Sequence, residues 1–149
     1  MTVGETFGPY LYEVTEMLVD GYRRAVGDQA IERIDGESVA PTTLLTFPVL
    51  QLTSTRWRQR PGGVHAAQTF ETLAPIRVPC VLSITGQLTE MYLRRGRRYS
   101  VVEASVRDDR GVEVARARTV GLYPGEDLGD ADVTVNPIAA QQVVAEVAG

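Results

Sequence analysis

Two stretches within the first 57 residues have the hydrophobic pattern of helices. In the first, apolar side chains recur every three or four residues, which is the repeat of a single helix face. Thr15 precedes this stretch as a favourable N-cap, and Gly27 follows it as the residue type that most often ends a helix. The pattern therefore predicts a helix between them, with an apolar face made of Leu18, Tyr22, Ala25 and Val26.

The second helical stretch lies within residues 40–57 and is apolar on nearly every side. Thr42 follows Pro41, and proline is favourable at the start of a helix, whereas Pro48 is expected to kink or shorten it. A helix without a polar face is typical of a buried element. We therefore predict that this segment is the central helix of the fold.

Beyond Gly63 the pattern changes to the alternation of apolar and polar residues that indicates β-strands. Glycine-containing turns at residues 94–97 and 108–111 divide this region into hairpins. Residues 2–12 are predicted as an irregular segment or a short strand, and residues 28–37 as a polar turn. The four predicted strands are Val64–Leu73, Val81–Tyr92, Tyr99–Val106 and Val112–Tyr123.

A sheet that has one long apolar helix available must wrap around that helix to bury its inner face. The order of elements therefore predicts an α+β protein, in which an antiparallel sheet surrounds a central helix. Residues 124–133 are acidic and rich in turns, and a short helix is predicted at Ile138–Val147.

Length and composition exclude several classes of protein. The chain has 149 residues, which suits one domain, and its single cysteine (Cys80) excludes an internal disulfide. No cluster of cysteine and histidine exists for a structural zinc, so we expect no metal. All basic residues are arginine, which excludes Schiff-base chemistry and a phosphate-loop lysine. No G-x-S-x-G motif is present, which excludes a serine hydrolase of that type.

The net charge and the hydropathy of the chain indicate which partners and locations to expect. The net charge of −4 disfavours nonspecific binding to nucleic acid, which requires a basic surface. No run of about 18 apolar residues and no signal-peptide pattern appears, so we expect neither a membrane span nor export. The expected location is the cytoplasm.

The segment Gly62–Val78, with Gln68, Phe70 and Pro75 at fixed spacing, resembles a stretch of the MaoC-like hydratases and dehydratases. The likeness extends over about residues 3–123. It implies a single hot-dog domain over residues 1–149, with residues 124–149 as a C-terminal extension. It also implies activity on acyl-CoA or acyl-carrier-protein thioesters, with no cofactor beyond the CoA or phosphopantetheine that carries the substrate.

The family's catalytic motif, Asp-x-Asn-Pro-[IL]-His-x-Asp, follows its first helix. Here Gly27-Asp28 matches the start of that motif, but the Asn-Pro pair is missing and Arg33 stands where the histidine is expected. Arginine cannot act as a base near neutral pH. If the protein is catalytic, the acid/base pair is therefore predicted to be Asp28 and His65, the only histidine of the chain. The resemblance further suggests substrate contacts at Ala40, Thr42, Ala66, Gln68 and Arg97.

Each of these assignments has a structural alternative. Asp28 is also a reasonable turn residue, His65 a reasonable residue at a strand end, and the arginines around Arg97 a solvated surface. Two functions therefore stay open: a lyase acting at the β-position of an acyl thioester, and a non-catalytic acyl-binding subunit that pairs with a complete hot-dog partner. A hot-dog thioesterase is a weaker third. In each case we expect a two-fold dimer, with itself or a related subunit, through the strand that begins near Val64.

Overall fold

The computed structural model describes residues 2–56 and 62–123. Eight strands, two α-helices and one 3₁₀ helix follow one another along this part of the chain. Their order is β1 (Thr6–Val14), α1 (Glu16–Val26), β2 (Arg33–Ile34), β3 (Glu37–Ala40), the 3₁₀ helix (Thr42–Leu45), α2 (Thr46–Arg56), β4 (Val64–Thr72), β5 (Ile76–Val78), β6 (Cys80–Arg94), β7 (Arg97–Arg107) and β8 (Glu113–Tyr123).

The main sheet is antiparallel and has five strands in the order β1-β6-β7-β8-β4. Helix α2 packs across its inner face, chiefly against β1 and β6. Val49 and Leu52 of α2 are buried almost completely, as is Leu45 of the preceding 3₁₀ helix. Gly86 has no side chain at the point of closest approach, where a Cβ would lie 2.8 Å from Cδ2 of Leu52. The predicted α+β architecture, an antiparallel sheet around a helix within residues 40–57, is confirmed.

Helix α1 has the predicted ends and part of the predicted face, since Leu18 and Tyr22 pack against the core. The Thr15 side chain accepts a hydrogen bond from the Leu18 backbone at 3.1 Å, and Gly27 adopts φ 74°, the left-handed conformation that ends the helix. Ala25 and Val26 are exposed, however, while Val19 and Arg23 are buried. The buried Arg23 guanidinium donates to a backbone carbonyl of β3, which satisfies part of its hydrogen-bonding capacity in the interior.

The central helix begins with a 3₁₀ turn rather than a kink. Because the α-helical part starts at Thr46, Pro48 falls in its first turn, where a missing backbone N–H breaks no hydrogen bond. Leu44 and Leu45 are buried and Leu50 is half-buried, whereas Thr55 is exposed, so the helix does have a solvent side.

The predicted hairpins are confirmed, and two predictions about the loops are corrected. Along β6, the even-numbered residues from Leu82 to Leu88 are buried, as the alternation predicts. Residues 28–37 are not simply a turn, since they contain β2 and the start of β3, which joins β2 and β5 in a second sheet. Residues 2–12 contain most of β1, which begins at Thr6 and shifts its register with β6 between Phe7 and Tyr10. The extension 124–149, with its predicted helix Ile138–Val147, lies outside the described residues.

Candidate functional site

The start of the central helix is held between α1 and the end of β4. Thr42 and Thr72 share a hydrogen bond of 2.9 Å between their hydroxyl oxygens, and the Tyr22 hydroxyl donates to Thr43 at 2.8 Å. Ala40 is buried at the end of β3, where it pairs with Ile76 of β5. The predicted contacts Ala40 and Thr42 therefore lie together at this helix start, beside the C-terminal end of β4.

Asp28 lies immediately after the C-cap of α1. Its backbone N–H donates to the Arg23 carbonyl at 2.9 Å, and its carboxylate accepts from the Ala30 N–H at 2.9 Å. Its Oδ2 is 4.0 Å from Nε of Arg23, and the side chain is 37% exposed. Asp28 thus has a fixed backbone and a carboxylate that solvent can reach.

Arg23 links Asp28 to the helix start. One guanidinium nitrogen of Arg23 donates to the Val39 carbonyl at 2.8 Å, two residues before Pro41. Among the described residues, Nε of Arg23 has no hydrogen-bond partner although it is buried. Arg23 and Asp28 also line a cavity of about 390 Å³, together with Asp20, Arg24 and residues 29–31. Sequence reasoning missed Arg23 because an arginine on a surface helix is normally solvated.

We expect Arg23→Met to lower the free energy of unfolding by about 1–3 kcal/mol, since it leaves the buried Val39 carbonyl without its donor. Methionine is about as long as the apolar part of the arginine side chain. The loss of free energy of unfolding therefore comes mainly from the missing hydrogen bond to Val39. Arg33→Met is the matched control, because Arg33 is exposed. Urea unfolding of both variants measures the difference, and equal losses would contradict a special role for Arg23.

Arg33, at the position expected for the catalytic histidine, is an exposed residue of β2. Its guanidinium donates to the Gly36 carbonyl at 3.1 Å, and its backbone pairs with Ser38. The side chain therefore stabilises the turn between β2 and β3. At the position where the family motif has its histidine, this chain therefore has an arginine with a structural role in the turn.

His65 lies near the N-terminal end of β4 and is exposed. It pairs with Gly121 of β8, and the register shifts between His65 and Ala67, so that Ala66 is the extra residue of a β-bulge. Gly121 and Thr119 face the same side of β8, and Thr119 pairs with Gln68. Because directly opposed residues share a face, the bulge places His65 on the same face as Gln68.

Gln68 and Arg97 are the remaining predicted contacts. The Gln68 amide donates to the Thr119 hydroxyl at 3.4 Å, while its carbonyl oxygen is buried and has no hydrogen-bond partner among the described residues. Arg97 is exposed at the start of β7, in the hairpin that it closes with Arg94. The register of β7, β8 and β4 places this hairpin at the same end of the sheet as His65.

The predicted residues therefore form two groups at opposite ends of β4. Thr72 and the helix start mark one end, and Asp28 is linked to that helix start through Arg23. His65 marks the other end, seven residues and roughly 23 Å away along the strand. Within the described residues, the hydrogen bonds and ion pairs of Asp28 reach Arg23 and Ala30 only. The pairing of Asp28 with His65 stays a prediction.

Two other classes of site were sought in the described part of the chain. No group of three or more histidine, cysteine, aspartate or glutamate residues between 2 and 56 or 62 and 123 is placed to hold a metal ion. None of the helices described is long and apolar enough to cross a lipid bilayer.

We expect the Cys80 thiol to be inert in the folded protein. Burial, together with Asp109 and Asp108 nearby, raises the pKa of Cys80 to about 11. The thiolate is the reactive form, so at pH 8 its fraction is roughly 10²-fold lower than in the unfolded chain. Mass spectrometry during alkylation by iodoacetamide should show slow labelling without urea and rapid labelling in it. Rapid labelling of folded protein would contradict the burial.

The described fold is similar to that of solved hydratases and dehydratases. No family model matches the chain, and no curated protein matches it in sequence. Among solved structures, the R-hydratase PhaJ1 from Pseudomonas aeruginosa is 17% identical with a TM-score of 0.69, covering 91% of this chain and 94% of its own. The MaoC-like dehydratase from Rhodospirillum rubrum is 14% identical with a TM-score of 0.70, covering 86% and 96%.

A third similar structure is a complex of two subunits. It is the 3R-hydroxyacyl-ACP dehydratase HadBC from Mycobacterium tuberculosis, 20% identical with a TM-score of 0.68, covering 81% of this chain and 96% of its own. At these identities the likeness concerns the fold. The chain therefore has the hot-dog fold found in (R)-hydratases and MaoC-like dehydratases.

Proposed function

We propose that the protein is a MaoC-like lyase that adds water to, or removes it from, the β-carbon of an acyl-CoA or acyl-carrier-protein thioester. In the hydration direction, water forms a C–O bond at Cβ, and Cα receives a proton. One group must take a proton from water, and one must supply a proton. The observation that supports this proposal best is the solvent-accessible carboxylate of Asp28, which lies 4.0 Å from the Arg23 side chain. Arg23 in turn donates to the Val39 carbonyl, two residues before Pro41 at the helix entry.

In this proposal Asp28 and His65 are the acid/base pair. The enolate oxygen that develops at the thioester carbonyl is stabilised by backbone N–H groups where Ala40–Thr42 enters the helix. Among the substrate contacts, Ala66 and Gln68 line the acyl or pantetheine chain, and Arg97 binds a phosphate or an acidic carrier protein. No cofactor takes part beyond the carrier of the substrate.

The second candidate is a non-catalytic acyl-binding subunit that pairs with a complete hot-dog partner. It is favoured by Arg33, which stands where the family has its histidine and is occupied in a structural hydrogen bond. The similar structure HadBC is itself a complex of two subunits. In both candidates the second subunit of the dimer pairs with β4, one of the two edge strands of the main sheet.

Mass spectrometry of the purified protein with a panel of enoyl-CoA and enoyl-carrier-protein thioesters separates the two candidates. The lyase predicts a time-dependent mass increase of one water molecule on some substrate. The binding subunit predicts saturable binding of thioesters without any such product. Addition of water only after a second hot-dog protein is supplied would favour the subunit, and neither binding nor turnover would contradict both.

A further inference from the structure

The two edges of the main sheet differ in how well they are protected. Strand β1 contains Pro9, shifts register between Phe7 and Tyr10, and continues directly into α1. Strand β4 runs for nine residues without a proline or an arginine and carries one acidic residue, Glu71. Its residues are mostly exposed, and β8 is its pairing partner in the described sheet. An edge that lacks proline and positive charge is open to pairing with another strand.

A second copy of the chain fits this edge because one strand can pair with itself antiparallel about a two-fold axis. An axis near Gln68, the middle of Val64–Thr72, brings the start of one β4 beside the end of the other. Such an axis is normal to the sheet, so both helix-covered faces stay on the same side. His65 of one protomer then lies near Thr72 of its partner.

The β-bulge at Ala66 places His65 on the face of the sheet that carries the helix start, so His65 of one protomer can reach the site of its partner. Thr72 pairs with Ala115, which is buried on the helix-covered face, and Thr72 binds Thr42 at the helix start. His65 shares that face because of the register shift beside it. In a regular strand, residues seven apart point to opposite faces, and His65 would be directed away from the helix start.

We propose that the acid/base pair forms between two copies of the chain, with Asp28 from one protomer and His65 from its partner. This inference rests on the proposed function, because it identifies what completes the same site. It explains why, within one chain, His65 lies at one end of β4 whereas Asp28 is connected through Arg23 to the helix start at the other end. Each dimer then contains two equivalent sites, and neither site is complete without the second protomer.

Mixed dimers test the arrangement directly. His65→Ala and Asp28→Asn chains, carrying different affinity tags, are co-expressed, and dimers holding both tags are isolated. One site then contains an intact Asp28 and an intact His65, so turnover per dimer should be about half that of the wild type. The matched control pairs a wild-type chain with the double variant His65→Ala/Asp28→Asn and should be inactive. Inactive mixed dimers beside a half-active control would overturn the proposal and leave the lyase function standing.

Cross-linking tests the same geometry without any assay of turnover. When His65→Cys chains and Thr72→Cys chains are mixed, a short bis-maleimide should join them into covalent dimers, whereas each variant alone should be joined poorly. The buried Cys80 does not compete for the reagent. A Leu11→Cys chain, altered on the opposite edge, is the control and should stay uncoupled.

A monomer in light scattering, or coupling no better in the mixture than in the control, would overturn the proposal. Specific coupling with no turnover of any thioester would support the dimer geometry and contradict the lyase function instead.

Discussion

His65→Ala and Asp28→Asn should each lower the turnover of an enoyl thioester by roughly 10²- to 10⁴-fold, the usual cost of losing a positioned general acid or base. No lysine and no second histidine can replace either group. Asp28→Asn keeps the shape of the side chain and its acceptor oxygen toward the Ala30 N–H, so it removes basicity with little change in structure. Steady-state kinetics on the best substrate of the panel measures both losses.

Neither substitution should unfold the protein, because His65 is exposed and the Asp28 side chain is 37% exposed. Thermal unfolding and thioester binding should therefore stay close to the wild type. Arg33→Ala is the matched control: Arg33 stands at the family's motif position, but among the described residues its side chain donates to Gly36 in the adjacent turn, so turnover should be retained. Full activity of both His65→Ala and Asp28→Asn would show that the acid/base assignment is wrong.

The main sheet could be predicted from the sequence because its strands are long and have one buried face. Along Val81–Tyr92 the alternation covers enough residues to distinguish a strand from a helix. The turn at Arg95–Gly96 could also be predicted, because glycine is typical of hairpin turns with positive φ. In the structure both residues adopt positive φ. The small sheet could not be predicted, because β2 has two residues and β5 has three, too few for any period to appear.

The candidate site could be predicted only in part, because its geometry depends on the register between strands. The match at Gly27-Asp28 indicates an acidic residue after the first helix, and the structure places one there. The bulge at Ala66 leaves no trace in the sequence, since it arises from how β4 pairs with β8. The burial of Arg23 depends on a single carbonyl, that of Val39, whose position only the folded chain defines.

Leu52→Ala should lower the free energy of unfolding by about 2–5 kcal/mol, the range for removing a large apolar side chain from a core. Leu52 is fully buried on the face of α2 that meets the sheet. Its two methyl groups lie over the glycines that allow the helix to approach, Gly8 of β1 and Gly86 of β6. Urea unfolding measures the loss, and Leu93→Ala, at a position that is 73% exposed, is the control with little expected effect.

A double-mutant cycle shows whether Leu52 and Gly86 fit each other as a pair. A Cβ at Gly86 would lie 2.8 Å from Cδ2 of Leu52 and 2.9 Å from the Phe7 ring, so Gly86→Ala alone should cost about 1–3 kcal/mol through overpacking. In the Leu52→Ala background the new methyl group meets open space on one side, and the same substitution should cost less. The Phe7 ring remains in place, so the cost should not vanish. Strictly additive losses would mean that Leu52 does not determine how closely the central helix approaches the sheet.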